Sequence, residues 1–136
     1  MMFGKKHSKP QNHIDSLIGA GTTVEGNLNF TGGLRIDGQI NGNVVAAPGK
    51  PSTLVLSEHA RVNGEISVTH LVINGTISGP VSASEYLELQ GKAKVCGDVH
   101  YNTLEIQLGA IVEGHLIHIN AAMQDKVVAF KLNSGE

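Results

Sequence analysis

From residue 16 onward the chain alternates apolar and polar residues with a period of two, the pattern of strands that send successive side chains to opposite faces. One phrase recurs along it: Val24-Glu-Gly26-Asn-Leu28, Ile40-Asn-Gly42-Asn-Val44, Val62-Asn-Gly64-Glu-Ile66, Ile77-Ser-Gly79-Pro-Val81, Val95-Cys-Gly97-Asp-Val99 and Val112-Glu-Gly114-His-Leu116. A second phrase precedes each later copy: Leu34-Arg-Ile36, Leu54-Val-Leu56, Leu71-Val-Ile73, Leu87-Glu-Leu89 and Leu104-Glu-Ile106. Its starts lie 20, 17, 16 and 17 residues apart. Helical periodicity is absent until the last dozen residues.

A unit of about 17 residues is too short for a propeller blade or a helical repeat, but it suits one turn of a β-solenoid. Such a turn cannot bury its inner face alone, whereas stacked turns can. At about 4.8 Å per turn, six turns make a parallel-stranded rod roughly 29 Å long. The recurring Gly fits a corner that needs positive φ or close backbone approach. Ala46-Ala-Pro-Gly-Lys-Pro-Ser52 explains the longest repeat as a loop bulging from one corner. The chain therefore divides into a polar N-terminal tail over 1–15, expected to be disordered, a β-helix body over 16–120 and a C-terminal segment over 121–136. Within the last, Met123–Leu132, which includes Phe130, is apolar enough to fold back over the final turn as a strand or a helical turn.

Composition supports an all-β body with an unusual core. Seventeen Gly, no Trp, three Phe and two Tyr mean that burial must come from small aliphatic side chains. Residues 1–15 set three lysines against Asp15, residues 16–122 carry five basic against nine acidic residues, and 123–136 balance at two each. An acidic body offers no basic stripe for phosphates, so no nucleic-acid partner is expected. No apolar run approaches the roughly 20 residues of a membrane span, the start lacks a signal-peptide core, and the single Cys96 cannot form an internal disulfide. A cytoplasmic location is the expectation.

The repeated phrases, the opening Ile18-Gly-Ala-Gly-Thr-Thr-Val-Glu-Gly26 and the run Gly33-Leu-Arg-Ile-Asp-Gly-Gln-Ile-Asn-Gly-Asn43 resemble the bactofilins, polymer-forming cytoskeletal proteins of bacteria. The resemblance covers about 16–120. It implies a right-handed parallel β-helix that polymerises without nucleotide into non-polar filaments, often at the inner face of the cell membrane, where it organises cell-shape or cell-wall proteins. Met2-Phe3-Gly4-Lys5-Lys6 is similar to the family's membrane-targeting segment, which makes Met2, Phe3, Lys5 and Lys6 the candidate membrane contacts. Val112 stands where bactofilins commonly carry a Phe that resembles a polymer contact, a departure that bears on the C-terminal interface.

Open solenoid ends supply a physical route to assembly, because they expose unpaired backbone and the edge of an apolar core. The first turn offers Ile18, Val24, Leu28 and Phe30; the last offers Ile106, Leu108, Val112 and Leu116, with Phe130 beyond. The competing class is a left-handed β-helix enzyme with hexapeptide repeats, an acyltransferase or a metal-dependent anhydrase. A partial six-residue series does run through Ile18, Val24, Phe30 and Ile36, and again through Leu56, Val62 and Val68. It breaks at the ragged repeat lengths, and no cofactor or catalytic residue is assigned. His100, His115 and His118 form the one plausible metal cluster, with His100 and His118 about one turn apart, but a shared face does not make a site and solvated surface histidines are expected. Cys96 falls out of phase with the inward set and is expected to face solvent as a bystander thiol. Asn27, Asn43, Asn63 and Asn74 are candidates for a side-chain ladder between turns.

Overall fold

The computed structural model describes residues 13–119. Every regular element among them is a strand, and every strand pairing is parallel. The chain winds through six turns of a three-faced solenoid. The first face stacks Ser16–Ile18, Gly32–Ile36, Ser52–Leu56 and the later halves of Ile66–Ile73, Val81–Leu89 and Val99–Ile106. The second face stacks Thr23–Glu25, Gln39–Asn41, Arg61–Asn63, Thr76–Ser78, Lys94–Cys96 and Ile111–Glu113. The third stacks Leu28–Phe30, Val44–Ala46, the earlier halves of the three long strands and Leu116–His118.

The two sequence phrases map directly onto this plan. The Leu-x-Ile phrase is the first face, and the Val-x-Gly-x-Ile phrase turns the corner from the second face to the third. Its apolar residues stack as columns: Val24, Ile40, Val62, Ile77, Val95 and Val112 on the second face, and Leu28, Val44, Ile66, Val81, Val99 and Leu116 on the third. From the second turn to the fifth these side chains are fully enclosed. Each such Leu, Ile or Val contributes about 1.5–3 kcal/mol relative to exposure, so many small aliphatics replace the missing aromatics.

Corner chemistry is handled locally. At the Gly corner the carbonyl of one turn occupies the space that a Cβ of the next turn's Gly would need, as between Gly64 and Gly79. The residue after that Gly accepts a backbone N–H from the following turn: Asn27 Oδ1 takes the Asn43 N–H at 2.9 Å, and Asn43 Oδ1 takes the Glu65 N–H at 2.9 Å. Asn63 belongs to a different ladder, donating to Asn41 Oδ1 at 2.8 Å while Asn41 donates to Glu25 at 2.9 Å. Asn74 caps the Lys92 N–H at 2.9 Å at another corner. One expected ladder is thus three separate devices, because residues before and after the Gly face different directions.

The loop after Val44–Ala46 bulges outward as expected, and Ser52 behind it is buried. Ser52 and Thr69 bond across turns through backbone and hydroxyl atoms, with the Ser52 N–H reaching Thr69 Oγ1 at 2.6 Å. His70 is enclosed beside them, its Nδ1 3.3 Å from the Ser52 carbonyl oxygen. At the start of the solenoid, Asp15 is already tied to the body. Its N–H donates to the Gly33 carbonyl at 2.8 Å, and its carboxylate accepts the Gly33 N–H at 2.9 Å.

Candidate functional site: the two solenoid ends

Burial falls off at both ends of the rod. Ile18, Val24, Leu28 and Phe30 occupy the inward columns of the first turn and are only half-buried, packed on one side against the second turn. In the last turn Val112 lies inward under Val95 and is likewise half-buried. Ile106 and Leu116 end their columns 47% and 44% exposed, against 0% for Leu89 and Val99 one turn earlier. The difference is purely positional, since the same residue types one step inward are sealed by a neighbouring turn. Each end therefore presents a small apolar platform ringed by strands whose outer hydrogen-bonding edge has no partner among the described residues.

Leu108 differs from its expected companions. It sits in the corner between Ile106 and Ile111, outside the inward columns, and is 98% exposed. Three more exposed apolar residues escaped the sequence reading: Ile14, Leu17 and Ile111. Leu17 and Ile111 point outward, where other turns place residues such as Arg35 or Lys94. Aligning outer as well as inner columns would have found them. Phe130 and the tail residues Met2, Phe3, Lys5 and Lys6 lie outside the described residues.

The histidines do not converge. The turn here is 17 residues, so His118 pairs with Tyr101 and His100 pairs with Ile117. The side chains of His100 and His118 thus fall on opposite faces of the sheet. His118 ends the inward column on Tyr101, ring centroids 5.5 Å apart and tilted by 59°. His115 caps the corner instead, its N–H and Nδ1 lying 3.0 and 3.1 Å from Asp98 Oδ1. That backbone bond, followed by the side-chain contact, holds the Asp98 carboxyl below its usual range. Among the described residues no group of three or more His, Cys, Asp or Glu side chains is placed to hold a metal ion.

Cys96 lies on the outer side of the second face, its thiol donating to Glu113 Oε1 at 3.3 Å. The hydrogen bond to that carboxylate pushes the thiol pKa up, opposite to what a nucleophile needs. Tyr86 is shifted upward too, by desolvation and by its bonds to Glu105 and Glu88. No helix among the described residues is long and apolar enough to cross a membrane.

Fold and site together define a short parallel β-solenoid whose distinctive chemistry, among the described residues, is concentrated at its two ends. The model of the bactofilins, described as polymer-forming cytoskeletal, matches residues 16–117, and the chain belongs to that family. Among curated proteins it is similar to bactofilin BacP of Myxococcus xanthus (strain DK1622), 22% identical over 116 residues. The matched stretch is 85% of this chain and 47% of the relative, so the chain spans about half the relative's length. No solved structure matches it.

Proposed function

We propose that this polymer-forming family member is a cytoskeletal scaffold whose rods join end to end, without nucleotide, into non-polar filaments at the membrane surface, where they organise cell-shape or cell-wall proteins. The observation that carries this reading is the exposure of the inward columns in the first and last turns, beside complete burial in the turns between. A subunit docked at either end continues the columns and the strand ladders in one step. The non-polar arrangement and the client proteins come from the family resemblance. The membrane contact rests on Met2, Phe3, Lys5 and Lys6. Each lysine near an anionic leaflet supplies about 1 kcal/mol, too little for one rod, whereas a filament multiplies it through many copies.

Nothing in the chain resembles a G-x-x-x-x-G-K-[ST] phosphate cradle, so assembly is expected to proceed equally with and without ATP, GTP and Mg²⁺. Negative-stain microscopy of purified protein in plain buffer tests this directly. A several-fold rise in polymer yield with nucleotide refutes the mechanism, and uniform trimers favour the hexapeptide-enzyme class instead. Removing residues 1–12, which spares the bonds of Asp15 to Gly33, is expected to abolish liposome co-sedimentation while filaments persist. Continued membrane binding by that form moves the contact onto the β-helix or onto a partner.

A further inference from the structure

The outer surface of the first face carries one unbroken column with a residue from every turn: Leu17, Arg35, Val55, Val72, Glu88 and Glu105. Its chemistry changes along the rod. The first four positions are apolar or basic, and the last two are acidic. Arg35 leaves 48% of its side-chain surface exposed and commits its Nε to Asp37 at 3.0 Å. Glu88 accepts from the Tyr86 hydroxyl at 3.2 Å, from Gln90 Nε2 at 3.0 Å and from Gln107 Nε2 at 3.3 Å. Glu105 accepts from the same hydroxyl at 2.8 Å. All these donors are neutral, so the two stacked carboxylates have no cation against them among the described residues.

We propose that this face is a lateral contact between two rods, with a second copy of the chain lying antiparallel on the first about a two-fold axis between the third and fourth turns. That axis sets Val55 of each rod opposite Val72 of the other, Arg35 opposite Glu88 and, at the rim of the contact, Leu17 opposite Glu105, every contact occurring twice. Parallel pairing in register would instead stack Arg35 on Arg35 and each glutamate on itself. The second face is less suited, because an antiparallel partner there opposes Glu25 to Glu113 at the ends of one outer column. On the third face the loop between Ala46 and Ser52 overhangs the strands and forms a cleft with Ser67, Thr69 and Ser82, which blocks flat packing.

The dimensions fit a weak, repeatable contact. A strand about 17 Å long over six turns spaced 4.8 Å gives roughly 490 Å² a side, or about 1,000 Å² in total, at the lower limit for a specific interface. Two rods held only by this face dissociate readily, whereas filaments repeat the contact along their length and pair firmly. The inference goes beyond end-to-end joining and does not depend on it.

The test uses full-length protein carrying Leu28→Arg and Leu116→Arg, one at each end of the rod, to suppress both end contacts, followed by sedimentation velocity. Arg35→Glu is expected to weaken dimerisation at least tenfold, Glu88→Arg similarly, and the double exchange is expected to restore it to within about threefold of the parent. Raising the ionic strength tenfold is expected to weaken the parent dimer measurably, since exposed charge pairs are screened. Unchanged dimerisation of Arg35→Glu, or failure of the double exchange in protein with an unaltered thermal melt, overturns the proposal. A second measurement does not depend on the charge variants folding well. Leu17→Cys with Glu105→Cys, in a Cys96→Ser background, leaves Arg35 and Glu88 in place and puts thiols about 24 Å apart within one rod, beyond the span of a short bis-maleimide. A cross-linked dimer of the end-blocked protein is expected, and monomer alone overturns the pairing. Absence of filaments from protein with unaltered ends, with lateral dimers of the end-blocked protein intact, would count against end-to-end assembly and leave the lateral contact standing.

Discussion

Val112→Arg and Leu116→Arg each convert long filaments into single rods or short oligomers while the circular-dichroism spectrum stays that of a β-sheet; this is the result expected if growth runs through the solenoid ends. In the isolated rod both positions border solvent: Val112 is half-buried and Leu116 is 44% exposed. An arginine there extends its stem along the apolar platform and keeps its guanidinium in water. A subunit stacked on that end removes the water. Leaving a buried charge unpaired costs about 3–5 kcal/mol, which at 1.4 kcal/mol per decade raises the critical concentration at least 100-fold. If like ends meet, both partners bring the same arginine and repulsion adds to desolvation. Glu105, an outward residue of the same turn, is a poor control because it accepts the Tyr86 hydroxyl. Glu65, exposed in a central turn, is the better site for a matching Arg. Pelleting assays decide the matter: long filaments from both end variants place growth on the lateral faces.

The inward half of this molecule was legible because a buried column imposes the same demand on every turn. Val24 through Val112 and Leu28 through Leu116 all had to be aliphatic, so the phrase repeated and the six turns could be read from it. The outer half obeys no such rule, and its register depends on knowing each turn's length to the residue. His100 and His118 were expected to be one turn apart at 18 residues, yet the turn has 17, and that single step moved His118 onto Tyr101 inside the column. Corners are less legible still. Nothing in the sequence marks His70 as buried, yet it is 3% exposed, enclosed beside Ser52 and Thr69 behind the bulging loop. Leu17 and Ile111 do not stand out by residue type, since it is their outward direction, set by the register of each turn, that makes them unusual. The ends themselves were found by a topological argument, since any open solenoid has two, and no residue motif announces them.

The largest loss of stability is expected from a single methyl group at the middle of the Gly corner. In Gly79→Ala the new Cβ would lie 2.2 Å from the Gly64 carbonyl oxygen and 2.7 Å from its carbon, where contacts below 3.0 Å do not persist. Relief requires the third and fourth turns to part at that corner. They are pinned there by the Gly64 N–H donating to the Ser78 carbonyl at 2.9 Å and the Ile66 N–H donating to the Pro80 carbonyl at 3.0 Å. Losing two such bonds costs about 1 kcal/mol each, before any cost of exposing the buried edges of Ile66 and Val81. The φ of +148° adds about 1–2 kcal/mol of strain for a residue with a side chain. A total of about 3–5 kcal/mol is a large part of the 5–15 kcal/mol that holds a domain of this size, and it lowers Tm by roughly 15–30 °C. Gly26 supplies the comparison, since its φ is also positive at +126° but an added Cβ meets nothing within 4 Å. Gly26→Ala therefore suffers the backbone strain alone, a shift of several degrees. Thermal melts of both variants in a Leu116→Arg background separate folding from polymer formation. Equal Tm values would mean that the stacked carbonyl gives way freely, and the corner would then owe its glycines to φ rather than to close approach.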